Sequence, residues 1–166
     1  MKIAIISDVH NNLVNLKKVL DFCEQKKIKT IICCGDLANK ETLDFLNDNF
    51  SGTIHYSFGN MDDDQLRNVP AEAQYKHTFL YKNFGETEIG GKKISLVHYP
   101  DMARELCETE KYKFVFYGHT HKPWEENIGK CKMLNPGNVA GEIFPPTFAV
   151  WDDQTDNFQL VRIHSL

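Results

Sequence analysis

Asp8 and His10 in "SDVH", Asp36 in "CCGD", Asn60 in "SFGN", His98 in "SLVH", and His119 and His121 in "GHTH" are the residues whose types and spacing invite chemistry. Each stands at the end of a short apolar run that reads as a buried strand, and Asp36, Asn60 and His119 come straight after a glycine. In α/β sheets, ligands gather outside the carboxyl ends of strands, where the loops diverge and leave a crevice. A preceding glycine lets the chain leave the sheet at an unusual φ or approach a neighbour closely. Asp8 and His10 are two apart, as are His119 and His121, and in extended chain such pairs lie on one side and can converge on a shared point. Taken singly, a Gly-Asp or Gly-Asn pair is an ordinary turn signal and a strand-end histidine is an ordinary hydrogen-bonding residue. Four histidines, two aspartates and one asparagine at five strand ends are not an ordinary set, and they read as a metal site. His55, His77 and His164 fall outside the pattern and are expected to be structural.

Seven side chains exceed the four that a tetrahedral zinc takes. They suit two ions of higher coordination that share a carboxylate, whose two oxygens each carry free lone pairs. The mixed nitrogen and oxygen set favours Mn, Fe, Zn, Co or Ni over Mg and Ca, which prefer all-oxygen shells, and Mn is the expected ion among them. Two such ions, about 3.5–4 Å apart, lower the pKa of a shared water and clamp a phosphoryl group for in-line attack. That chemistry is hydrolysis of a phosphate ester. It needs neither a G-x-S-x-G serine nor a G-x-x-x-x-G-K-[ST] loop, and the chain has neither.

The elements that must position these residues can be read from the periodicity. "KIAIIS", "IKTIICC" and "TIHYSF" are strands of the first half, alternating with helices over "NNLVNLKKVLDFCEQKK" and "KETLDFLNDN". This order implies right-handed crossovers and a parallel core sheet. The second half reads as a hairpin over "ETEIGGKKISLVH", a proline-opened helix over "PDMARELCETE", a strand "KFVFY", and a closing hairpin around Asp152 to Asn157. The reading is one α/β domain spanning residues 1–166, mixed rather than all-parallel. A chain of this length buries about 68–70% of its unfolded surface, so a core needs no disulfide staples. The five cysteines form an odd set without a C-x-x-C pair, and most are read as reduced core residues. Phe144, Phe148 and Trp151 are expected in the core, with a subunit contact, and hence a homo-oligomer, as the alternative. A net charge of −4 without any Lys/Arg block advertises no grip on nucleic acid. No apolar stretch reaches the about 18 residues of a membrane span, and the chain reads as cytoplasmic.

The motif series "DVH", "GD", "GN", "H" and "GHTH" followed by "NPGN" resembles the calcineurin-like metallophosphoesterases over essentially the whole chain, and their small single-domain bacterial and archaeal phosphodiesterase branch above all. The resemblance implies a four-layer αββα sandwich: two facing mixed β-sheets flanked by helices, with a dimetal site along one edge. It places Asp8, His10, Asp36 and His121 on one metal. Asp36 as bridge, Asn60, His98 and His119 fall on the other, with Asp36, Asn60 and His98 as catalytic residues. Asn12 and Asn60 are the implied phosphate contacts, though Asn12 reads equally well as a helix cap. The chain departs from the family at Met61, where many larger members carry a leaving-group histidine, at Tyr99 and Pro100, and at Asn11. Asp62 is read as a hydrogen-bond partner of a ligand imidazole. The expected activity is a dimetal phosphodiesterase acting on a small phosphorylated substrate. The alternatives are a phosphomonoesterase on nucleotides or sugar phosphates, and a non-enzymatic interaction scaffold of the same fold, like the retromer subunit that adopts it.

Overall fold

The computed structural model describes residues 1–69 and 75–166. Four parallel strands, β1 (Lys2–Ile6), β2 (Thr30–Cys33), β3 (Thr53–Ser57) and β4 (Thr78–Tyr81), form the body of the first sheet. The second sheet contains β5 (Phe84–Ile89), β6 (Lys92–Val97), β7 (Phe114–Phe116), β8 (Trp124–Ile128) and β9 (Cys131–Asn135). The last hairpin, β10 (Thr147–Asp152) and β11 (Asn157–Arg162), returns to the first sheet and pairs antiparallel with β1, giving the order β11-β10-β1-β2-β3-β4. The second sheet runs β5-β6-β7-β9-β8, with β6, β7 and β9 parallel and an antiparallel strand at each edge.

Side chains alternate along each strand, so one strand feeds two cores. Ala4 and Ile6 face outward onto helices α1 (Leu13–Gln25) and α2 (Lys40–Asp48), joining Leu16, Val19, Leu20, Leu43 and Leu46. Ile3 and Ile5 face inward and meet the second sheet through Phe114, Phe116 and Trp151. Beyond that sheet, α4 (Pro100–Glu108) lays Ala103 and Cys107 on Val97, Val115 and Met133. The layers are therefore helix, sheet, sheet, helix, as expected.

Every element read from the periodicity is present, with ends shifted by a few residues. The short helix α3 (Asp64–Arg67), strand β4 and the β8–β9 hairpin were not anticipated. Of the hairpin, β8 is the exposed edge strand and carries "WEEN", which shows no apolar alternation, while β9 lies buried between it and β7. Phe148 and Trp151 are fully buried, and Phe144 is half-buried. The cysteine reading needs one correction: Cys23, Cys33 and Cys34 are buried thiols, but Cys107 and Cys131 are joined as a disulfide between α4 and β9. Packing of the helix on the sheet brings the two together across 24 residues of sequence. Among the described residues no helix is long and apolar enough to cross a membrane.

Candidate metal centre

The carboxyl ends of β1, β2, β3, β6 and β7 meet along one edge of the two sheets, and all seven side chains singled out at the strand ends come together there. Asp8 Oδ1 lies 3.4 Å from His121 Nε2 and 3.7 Å from His10 Nε2, and those two nitrogens are 3.3 Å apart. Asn60 Oδ1 lies 3.0 Å from both His98 Nε2 and His119 Nδ1, which are themselves 3.3 Å apart. Asp36 Oδ2 stands between the two groups, 3.2 Å from His98 Nε2 and 3.9 Å from His10 Nε2. The ligand atoms of Asp8, His10 and His121, and those of Asp8, Asp36 and His98, fall within 4.8 Å of one another.

The donor chemistry of this cluster fits a pair of cations. Asp8 is fully buried, and its Oδ1 has no hydrogen-bond partner, while Oδ2 accepts the His119 amide. An orphaned buried carboxylate oxygen is costly unless a cation faces it. Burial pushes the Asp8 carboxyl up, but the His10 and His121 imidazoles outweigh that and hold it well below the usual carboxylate range. Asp8 in turn raises His10 and His121. Burial works to lower His98, yet Asp36 beside it raises it on balance. His98 Nδ1 lies 2.8 Å from the Cys34 carbonyl; donation there fixes the tautomer and leaves the Nε2 lone pair facing Asp36 and Asn60.

The backbone around the cluster is unusual. Asp8, His10, Asp36, His119 and His121 all adopt φ between +45° and +71°. Such left-handed conformations cost roughly 1–2 kcal/mol per residue and need surrounding structure to enforce them. Enforcement comes from amides that lace the loops together: Asp8 N to Gly35 O, Val9 N and His10 N to Asp36 O, and Ala140 N to Asp8 O. The turned backbone also corrects the expectation for the "GHTH" pair. His119 and His121 do not converge on one point as extended residues would; His119 joins Asn60 and His98, and His121 joins Asp8 and His10.

The glycines act mainly through space. A Cβ at Gly59 would sit within 3.0 Å of the Asp36 carboxylate, and one at Gly118 would strike Ser7 Oγ and Asp8. A Cβ at Gly35 would occupy the place of the His98 ring. Each strand end therefore leaves room for a ligand brought by its neighbour.

Three further groups position the site. Asp62 does not reach an imidazole, contrary to expectation; its carboxylate accepts the amides of Gly59 (2.7 Å), Ala38 (2.9 Å) and Asp36 (3.3 Å), which tie the β2 and β3 loops together. Burial raises its pKa, offset in part by the Tyr56 hydroxyl and these amides. Arg67 braces the same loop through the carbonyls of Asp62 and Gly59. Asn135 donates to Gly118 O and Thr120 Oγ1, and Asn138 donates to His121 O, so the "NPGN" stretch clamps the "GHTH" loop. These roles depend on the direction of amides and carbonyls, which residue types do not encode. Asn12 caps α1 by accepting from Asn15 N, and its Nδ2 donates to Ala140 O. Met61, next to Asn60 in sequence, is exposed, as is Tyr99 beside His98 and His119. A cavity of about 430 Å³ lies elsewhere, between β8 and β11.

Residues 1–156 match the calcineurin-like phosphoesterase superfamily domain. A phosphodiesterase of Methanocaldococcus jannaschii is 25% identical over 96% of this chain and 97% of its own length. The solved structure of an archaeal phosphodiesterase superposes with a TM-score of 0.84 at 24% identity, covering 98% of this chain and 99% of that one. Zinc-complexed Vps29 from Entamoeba histolytica superposes with a TM-score of 0.67 at 21% identity, covering 98% and 99%. These two structural likenesses establish the shared fold.

Proposed function

The chain belongs to the calcineurin-like phosphoesterase superfamily, and on that premise we propose that it is a dimetal phosphodiesterase of small phosphorylated substrates. The observation that carries the reading is Asp36 Oδ2 standing between two complete groups of donor atoms. In this reading Asp8, His10, Asp36 and His121 hold one divalent ion, and Asp36, Asn60, His98 and His119 hold the other. Bound there, the pair supplies an activated water near neutral pH and neutralises the phosphoryl charge. Manganese is the proposed ion, and nickel, cobalt, zinc or iron would suit the same mixed nitrogen and oxygen set.

The chain's own residues account for the rest. Asp36 keeps the two donor groups in register, with its Oδ1 pinned by the Met61 amide at 2.8 Å. Asn60 presents its amide beside His98 and His119 and is the proposed phosphate contact at that end. Asn12, through the Nδ2 hydrogen not given to Ala140, is the proposed contact at the other. Met61 has no proton to give, so the leaving group departs without help from that position. A diester with a stable leaving anion meets that condition. The similar archaeal phosphodiesterase points the same way and favours this reading over a monoesterase or a scaffold.

The test compares bis(4-nitrophenyl) phosphate with 4-nitrophenyl phosphate on manganese-loaded protein. The diester is expected to be the better substrate by about tenfold or more in kcat/KM, or roughly 1.4 kcal/mol of transition-state preference. Dominant monoester cleavage would overturn the diester preference. Full metal content with no turnover of either compound would leave the scaffold.

A further inference from the structure

Tyr99 stands at the mouth of the second donor group. It follows His98 directly and precedes Pro100, the first residue of α4, so its backbone is held extended (φ −89°, ψ 138°) by its place at the helix start. Its ring centroid lies 5.1 Å from those of His98 and His119, at interplanar angles of 77° and 61°. Edge-to-face contacts of this kind fix a ring while leaving part of its surface free, and 41% of Tyr99 remains exposed. Arg67 is committed to the carbonyls of Asp62 and Gly59 and lies against Phe58. The exposed group packed against His98 and His119 is therefore an aromatic ring.

A charged ester group placed against the face of that ring would lose hydration without gaining an ionic partner from it. A flat aromatic group would stack on the phenol. We infer that Tyr99 selects substrates whose phosphate ester group carries a planar aromatic system, an aryl ring or a nucleobase. The inference rests on the phosphodiesterase reading of the same site and deepens it by naming the substrate class.

The experiment measures affinity without turnover. Phenylphosphonate and methylphosphonate carry the same acidic group, resist hydrolysis, and differ only in the ring. Calorimetry on manganese-loaded protein is expected to show phenylphosphonate binding about tenfold more tightly. Tyr99→Phe keeps that gap, and Tyr99→Ala closes it to within about twofold while bound manganese, measured by elemental analysis, stays at the wild-type level. Equal affinities in the wild type, or a gap that survives Tyr99→Ala, would overturn the inference. So would a gap that closes only because Tyr99→Ala has lost its metal, which would make the ring a support for the histidines. Steady-state cleavage of bis(4-nitrophenyl) phosphate separates the two claims. Diester turnover without an aromatic preference removes this inference alone, and an aromatic preference without diester turnover removes the phosphodiesterase reading alone.

Discussion

Asp36 joins what the other strand-end residues keep apart. Its Oδ2 lies 3.2 Å from His98 Nε2 and 3.9 Å from His10 Nε2, so replacing it with an amide brings an N–H against imidazoles and removes the shared charge. Asp36→Asn is expected to bind fewer than two metal ions per chain by elemental analysis and to lose at least about hundredfold in turnover. His77, exposed just before β4, is the control. His77→Ala should leave the rate within about twofold of wild type, as surface substitutions away from a site do. At this scale the sequence was highly legible: polar, metal-capable residues following apolar runs identified all seven members of the cluster. What spacing alone hid was direction. His119 and His121 turn to different groups through two left-handed residues, where extended chain would send them to one point, and the attachment of Asp62 to three amides follows from how two loops face each other.

Strand ends deliver the chemistry, and the links between strands keep it in place. Asp62 bridges the loops after β2 and β3 with acceptor oxygens only, as its three amide partners require. Asp62→Asn turns one acceptor into a donor facing amide hydrogens, and a loss of about 1–3 kcal/mol in urea unfolding is expected. A second link lies within the β3–β4 pair, where His55 is stacked on Phe79 (centroids 5.1 Å apart) and on Tyr81 (6.1 Å). Burial holds the His55 pKa below its ordinary 6.5. The unfolded chain therefore takes up a proton there before the folded one does, so this contribution to stability is complete above pH 6.5 and is lost as pH falls below it. His55→Phe should flatten the fall of melting temperature with acidification below that pH; an unchanged slope would show that His55 is not the group responsible. The longer elements were legible because their periodicity was strong. β4, α3 and the β8–β9 hairpin were not, because they are short or polar and take their structure from neighbouring strands.

The whole molecule is held by contacts distant in sequence, and one of these is covalent. Cys107 and Cys131 close a loop of 24 residues, for which chain entropy predicts a stabilisation of about 3 kcal/mol. Unfolding in urea with and without reductant should show that difference, and Cys107→Ala should abolish it. An odd number of cysteines without a spacing motif could not reveal the pair, since only the packing of α4 on β9 brings them together. The glycine contacts carry the same lesson into the reactive edge. Because a Cβ at Gly35, Gly59 or Gly118 would strike a side chain brought by another strand end, alanine at any one of the three would displace a group that belongs to its neighbour.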